Sequence, residues 1–487
     1  GKLLIERLAL YPEYANDLPQ WVDPSVEPLV LQAIDGSGFP RTENWAAGAV
    51  EDPPEIDLAR VTAIAKRGPS ADLADILGKA ESGEGLSEDD IVRLLKARGN
   101  DYTAVCQAAD KMRRQVAGDE VTYCVNRNIN YTNVCYFKCQ FCAFSKGKMS
   151  ENLRGKPYDL SHEEIMRRTK EAGDRGASEV CLQGGIHPEY TGQTYIDIVR
   201  SIKQVNPDMH IHAFSPLEVW QGAKTLGVSI SEFLGQLKEA GLGTLPGTAA
   251  EILDDEVRAT LCPDKINTAQ WLEVMEAAHG QGFNTTATIM YGHMEQYKHV
   301  ARHLLRIRDL QEKTGGFTEF VILPFIHMES PIYLKGRARK GPTFREAILI
   351  HAISRLVLHP LFKNIQASWT KLGHEGVRAC LQAGVNDLGG TLMNETITRA
   401  AGAAHGQETS PEEMEEIIRS IGRTPRQRST TYGEITELQR QKSFGAVTLL
   451  EPTYTSAKKY ERKQSKKKQE LVRNELEPEK LTSQDII

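Results

Sequence analysis

From about Glu120 onward, short apolar runs alternate with longer stretches in which apolar residues recur at three- and four-residue spacing. The short runs read as buried strands and the longer stretches as amphipathic helices. Strands are predicted at 121–125, 179–182, 210–214, 243–245, 285–290, 319–323, 364–367 and near 385–386. Helices are predicted between them at 161–172, 193–205, 229–240, 268–280, 297–312, 343–356 and 373–383. Eight strands alternating with helices over roughly 300 residues match an α/β architecture of the (β/α)₈, TIM-like barrel type. A doubly wound open sheet is the alternative, because the order of strand pairing is invisible in a sequence.

Upstream the pattern is helical. Residues 71–81 carry Leu73, Ile76 and Leu77 at helical spacing, and Ser87 caps a second helix with Asp90 three residues on. Residues 1–55 show a short helical pattern at 3–10, then Pro- and Trp-bearing irregular segments with too little apolar surface for a core of their own. The expected organisation is therefore 1–55 as the end of a preceding module plus linker, 56–118 as a helical lead-in, 119–435 as the barrel, and 436–487 as a C-terminal extension. Within that extension, 458–468 is a Lys-rich stretch that reads as a solvated helix or disordered tail rather than a docking or nucleic-acid arm.

Composition narrows the class. The chain of 487 residues has 59 basic and 65 acidic side chains, 40% hydrophobic residues and 25% charged ones. That excludes a wholly disordered chain, and a net charge of −6 leaves no electrostatic footprint for nucleic acid. No run of about 18 apolar residues is present, and no secretory signal, so the expectation is a soluble cytoplasmic protein, or a stromal one in a photosynthetic eukaryote. The first residue is Gly1 rather than Met, which suggests a piece of a longer gene product. Of eight cysteines, Cys106, Cys124, Cys181, Cys262 and Cys380 are scattered and read as small buried hydrophobes. Cys135, Cys139 and Cys142 are crowded into one octapeptide after the first predicted barrel strand.

Their C-x₃-C-x₂-C spacing puts three soft ligands on one loop, which suits iron–sulfur or zinc. A closed structural zinc site would want a fourth ligand close by, and no Cys or His follows until His162. With Phe141 immediately before the third cysteine, the motif resembles that of radical S-adenosylmethionine (SAM) enzymes. The resemblance implies one [4Fe–4S] cluster on the three cysteines, with SAM chelating the fourth iron and yielding a 5′-deoxyadenosyl radical. It also implies cofactor contacts at Phe141, at Gly184 and Gly185 after the second strand, at Glu251 and Arg258 for the methionine ammonium and carboxylate, and at Gly292 and Glu295 for the adenine. The family's acidic residue after the paired glycines is replaced here by Ile186.

The segments around Gly184, Gly247, Gly292 and Gly389 resemble more closely the 4-hydroxyphenyl transferases of deazaflavin (FO) biosynthesis. The likeness spans roughly residues 56–445. It implies L-tyrosine and 5-amino-6-(D-ribitylamino)uracil as substrates, a companion FO-forming radical SAM module fused N-terminally, and a ferredoxin- or flavodoxin-like electron donor. No nucleic acid or membrane partner is implied. Candidate substrate residues are His212 and His293, which could orient the uracil or move its proton, together with Asn126, Asn128, Asn386 and Asp387. Three alternatives stay open: a futalosine-pathway menaquinone enzyme, a non-enzymatic zinc-binding module, and a divalent-metal hydrolase built from His210, His212, His293, His327 and Asp387.

Overall fold

The computed structural model describes residues 12–63, 67–145 and 156–455. The helix expected at 3–10 and the charged tail at 458–468 lie outside the described residues. Ten strands form one sheet: β1 (Glu120–Cys124), β2 (Asn126–Asn130), β3 (Glu179–Gln183), β4 (His210–His212), β5 (Thr244–Leu245), β6 (Asn284–Tyr291), β7 (Phe317–Pro324), β8 (Asn364–Ala367), β9 (Asp387–Gly390) and β10 (Thr424–Arg428). Their order is β10-β1-β9-β8-β7-β6-β5-β4-β3-β2, and every pairing is parallel. Val125 alone separates β1 from β2, so the two ends of that order are joined through one chain segment. A bridge from Arg127 to Met393 links the same segment to the chain beyond β9. The sheet curls into a TIM-like barrel, and the open doubly wound alternative falls.

The first strand runs further than its apolar pattern suggests. Period-two alternation continues past Val125, with Cys124, Asn126 and Asn128 turned into the lumen and Val125 and Ile129 packed in the outer core. The polar Asn residues hid this half because a strand lining a cavity does not need an apolar inner face. The eighth strand lies at 387–390 rather than 385–386. β10, Thr-Pro-Arg-Gln-Arg, has no apolar signal and was not expected.

The helices cover the outer face, and their starts follow local capping chemistry. Pro216–Leu226, also unexpected, begins at a Ser215/Glu218 capping box with Pro at its first turn, and ends at Gly227 with φ 69°. The outer core between sheet and helices is apolar, with Val180, Leu182, Ile211, Ile289, Phe320, Ile322 and Ile365 all buried.

Residues 12–55 have a small cluster of their own, Ala15, Leu18, Val30 and Ile34. They also reach the barrel. Trp45 is buried in the main core edge-on to Phe344, and Asp35 pairs with Arg345 at 3.1 Å. Gly48 donates its N–H to the carbonyl of Lys371 at 2.6 Å. No helix among the described residues is long and apolar enough to cross a membrane.

Candidate cluster loop and substrate cavity

The cysteine loop leaves β2 at the C-terminal end of the barrel, and backbone hydrogen bonds hold it. Gly185 N–H donates to Thr132 O (2.9 Å), Tyr136 N–H to Ile186 O (3.2 Å) and Gln140 N–H to Leu261 O (2.9 Å). Gly184 and Gly185 make this approach possible. A Cβ at Gly184 would lie 2.2 Å from the Tyr131 ring, and one at Gly185 would lie 2.2 Å from Val134 O. The pair is needed for packing as well as for any ligand contact.

Cys135, Cys139 and Cys142 are unpaired and line one cavity of about 420 Å³ with Phe141, Gly184, Gly185 and Glu251. Among the described residues, the one group of three His, Cys, Asp or Glu whose ligand atoms all lie within 4.8 Å is Asp254, Glu256 and His299. The three sulfurs are thus not all within 4.8 Å of one another, whereas Zn–S bonds of about 2.3 Å would bring the sulfurs of one tetrahedral site within about 4 Å. Three free thiols lining one cavity are a donor set that suits an iron–sulfur cluster. Burial pushes the Cys135 thiol up to about 11 and Cys139 well above its usual range; a bound iron deprotonates such a thiol outright.

Beside the triad stands a buried ion pair that sequence reasoning missed. Lys265 Nζ donates to Glu251 Oε1 at 2.7 Å and lies 5.4 Å from the centroid of the Phe141 ring. Glu251 adopts φ 45° and nearby Ala249 φ 66°, left-handed conformations that cost side chains roughly 1–3 kcal/mol each. The bond from Met290 N–H to Glu251 O (2.9 Å) helps to hold that turn. No periodic or motif signal marks Lys265, fourteen residues from its partner.

Several expected site residues are placed elsewhere. Arg258 does not line the cavity; its guanidinium donates to Ala250 O (2.6 Å), to Ala249 O (3.3 Å) and to Ile266 O (3.2 Å from Nε), clamping the Glu251 turn from behind. Arg258, expected to take the methionine carboxylate, is thus spent on backbone carbonyls, and the cation beside Glu251 is Lys265. Gly292 and Glu295 also lie off the cavity lining. Glu295 accepts from Gly292 N–H (2.6 Å) and His293 N–H (2.9 Å) and pairs with Arg339 (2.9 Å). His293 is fully buried in the same turn, with Nδ1 3.0 Å from Glu295 and Nε2 3.1 Å from Met290 O. It does not face the lumen.

His212 does face it. Its Nδ1 and the Nε2 of His210 both meet Thr244 Oγ1, at 2.7 and 2.8 Å. Burial lowers the His212 pKa to about 4, against the opposing pull of Glu179, so the ring is neutral at neutral pH and cannot donate a proton as imidazolium. Asn126 lines the lumen with its amide on Glu179 (2.8 Å). Asn128 lines it with a buried Oδ1 that has no hydrogen-bond partner among the described residues, as does Thr248 with its Oγ1. Buried acceptors without partners are costly, and a ligand in the cavity would satisfy them.

Asn386 and Asp387 are tied down behind and below the site. Asn386 accepts from Arg355 (2.6 Å), while Asp387 meets Arg428 (2.6 Å) and accepts the Thr122 hydroxyl (2.5 Å). Arg428 also reaches Glu319 (3.1 Å), forming a polar floor in which burial pushes Glu319 up to about 7. The five groups of the hydrolase alternative are not gathered, since no His or Asp of that set appears in a three-ligand cluster among the described residues.

Residues 129–307 match the Radical SAM superfamily, and residues 314–441 match the CofH/MqnC C-terminal region. A 5-amino-6-(D-ribitylamino)uracil–L-tyrosine 4-hydroxyphenyl transferase of Methanothermobacter thermautotrophicus is 47% identical over 363 residues, covering 74% of this chain and 98% of that protein. The chain belongs to the radical SAM superfamily and, within it, to the family of that transferase. FO synthase of Mycobacterium leprae is 42% identical over 471 residues, covering 89% of this chain and 54% of that protein; the Streptomyces coelicolor FO synthase shows the same identity and 55% coverage. The chain thus spans about half the length of the FO synthases it matches.

Among solved structures, methylornithine synthase (PylB) aligns with a TM-score of 0.57 at 20% identity, over 72% of this chain and 97% of that one. The hydrogenase maturase HydG from Carboxydothermus hydrogenoformans aligns with 0.56 at 17%, over 74% and 80%. These two likenesses carry the radical SAM barrel fold.

Proposed function

We propose that this chain cleaves the Cα–Cβ bond of L-tyrosine and joins its 4-hydroxybenzyl group to C5 of 5-amino-6-(D-ribitylamino)uracil. The co-products are 2-iminoacetate, methionine and 5′-deoxyadenosine. The observation that carries this reading is one continuous cavity, which begins at Cys135, Cys139 and Cys142 and continues into a lumen where Asn128 and Thr248 carry acceptors without a partner among the described residues. Its volume of about 420 Å³ suits small polar ligands.

Cys135, Cys139 and Cys142 would hold the [4Fe–4S] cluster. Bound together, cluster and SAM supply a 5′-deoxyadenosyl radical, on receipt of an electron from a ferredoxin- or flavodoxin-like donor. Glu251, positioned by Lys265, is the carboxylate for the methionine ammonium, and Gly184 and Gly185 bring backbone groups to the same end. Phe137, Phe141, Val321, Leu323 and Phe325 wall the cavity with apolar surface, which keeps water from reactive intermediates. Asn126, Asn128 and neutral His212 supply donors and acceptors for the uracil and its ribityl chain. The companion module would complete ring closure to FO.

The test is anaerobic: reconstituted protein, SAM, dithionite, ring-labelled tyrosine and the ribitylaminouracil, with products read by mass spectrometry. A labelled adduct formed with one 5′-deoxyadenosine per turnover is the expected result. Consumption of an aminodeoxyfutalosine-type substrate in preference to tyrosine would assign the chain to menaquinone synthesis instead. Release of finished FO without a companion would contradict the half-reaction.

A further inference from the structure

Three Lys or Arg side chains line the cavity among the described residues: Lys265, Arg428 and Lys371. Two have carboxylate partners, Lys265 on Glu251 at 2.7 Å and Arg428 on Asp387 at 2.6 Å. Lys371 has none within 4.0 Å among the described residues. Its one side-chain hydrogen bond there is long and goes to a neutral group, Thr398 Oγ1 at 3.3 Å. A cation in a cavity wall without a counter-ion favours an anionic ligand, whose charge would offset the cation's desolvation.

Position strengthens the case. Lys371 sits in the first turn of the helix Trp369–Leu381, which follows β8, so it stands at the same C-terminal end of the barrel as the cysteine loop. In the ring of strands β8 is separated from the β1–β2 segment by β9 alone. Glu395, 4% exposed, lines the same wall, and its oxygens accept only from Thr398 N–H, at 2.9 and 3.1 Å, among side-chain bonds of the described residues. The two opposite charges feel each other: burial lowers the Lys371 pKa and Glu395 opposes that in part, yet among the described residues they form no ion pair. An ammonium and a carboxylate held apart on one wall complement a zwitterion lying between them.

We propose that Lys371 and Glu395 form the receptor for the α-amino-acid head of the substrate, Lys371 taking its carboxylate and Glu395 its ammonium. This rests on the tyrosine reading above. SAM carries the same pair of groups, but Glu251 and Lys265 stand beside the cysteine triad, leaving the wall above β8 for the second amino acid.

The test uses reconstituted holoenzyme with SAM and three ligands: tyrosine, tyramine, which lacks the carboxylate, and 3-(4-hydroxyphenyl)propanoate, which lacks the ammonium. Binding is read by calorimetry and by KM or competitive inhibition. Lys371→Met is expected to weaken tyrosine about 10- to 100-fold and tyramine little, the size of a lost charge-assisted hydrogen bond. Glu395→Gln is expected to show the crossed pattern, weakening tyrosine and sparing the propanoate. Lys371→Arg, which keeps the charge, should retain most of the preference for tyrosine over tyramine, and it serves if the Met variant does not fold. Equal weakening of all three ligands would reduce both residues to a structural role and overturn the proposal. A rise in the KM for SAM rather than for tyrosine would move the receptor to SAM and overturn it as well. Wild-type protein that binds none of the three ligands would sink the tyrosine reading itself, a result distinct from variants that merely keep wild-type selectivity.

Discussion

At the residue scale, chemistry divides the cysteines by what surrounds them. Cys135→Ala, Cys139→Ala or Cys142→Ala should each abolish the brown cluster absorbance and SAM cleavage, because each removes one of the three thiols the loop supplies to the cluster. Cys106→Ala and Cys380→Ala should leave iron content and cleavage intact, since both thiols are fully buried away from the cavity. Iron analysis and 5′-deoxyadenosine assays decide this, and a triad variant that still cleaved SAM would remove the cluster assignment. Cys124 and Cys181 belong to neither class: they read as packing residues from the sequence, but they line the lumen.

His212 gives a second expectation at this scale. Its folded pKa, about 4, lies below the ordinary imidazole value of 6.5, so folding favours the neutral form. Its contribution to stability is present in full above about pH 6.5 and is lost as pH falls through about 4. Titration of the imidazole C2 resonance should show no transition between pH 8 and about 5.5. A midpoint near 6.5 would mean that solvent reaches the ring and would restore it as a proton carrier.

At the element scale, β10 is a strand whose value lies in one side chain. It pairs in parallel with β1 from Glu120 to Cys124, and Arg428 at its end enters the barrel floor between Asp387 and Glu319. Removing the cation would leave two buried carboxylates facing each other. Arg428→Met is therefore expected to cost about 3–5 kcal/mol, measured by urea unfolding, with part of the loss recovered in the double variant with Asp387→Asn. Full stability in the single variant would show that the floor is hydrated rather than ion-paired.

For the whole molecule, the segment before the barrel is knitted to it by charge. Asp35 accepts from Ser37 N–H (2.8 Å) and Phe39 N–H (3.0 Å) with one oxygen, and meets Arg345 and Arg98 with the other. Gly36 N–H and the Tyr297 hydroxyl both donate to Glu346 at 2.8 Å, beside that pair. Asp35→Ala should cost about 1.5–3 kcal/mol, the range for hydrogen bonds to a charged group. It should also loosen the contact from Gly48 to the backbone of Lys371. Hydrogen exchange at 35–48 and at 368–373 would report both; faster exchange in the first stretch alone would mean that the segment does not support the cavity wall.

Much of this protein is local and therefore readable. Alternating apolar runs state their own secondary structure, because burial on one face imposes a period that neighbouring residues share. The three cysteines fall within eight residues, so one loop suffices to bring them together, and no long-range information is needed to see a metal site. Asn126 and Asn128 are legible as candidate substrate residues beside the first strand, though not as members of a strand.

What the sequence leaves open is which distant charges meet. Lys265 rather than Arg258 pairs with Glu251, because the turn that gives Glu251 its positive φ spends the arginine on backbone carbonyls. His293 and Glu295 turn into a buried cap instead of the cavity, while Arg428 crosses 109 residues of chain to reach Glu319. These outcomes depend on strand register and on how the barrel closes. A one-residue shift sends a side chain to the opposite face, so tertiary structure alone decides which charges share the low-dielectric interior and which are left, like Lys371, to a ligand.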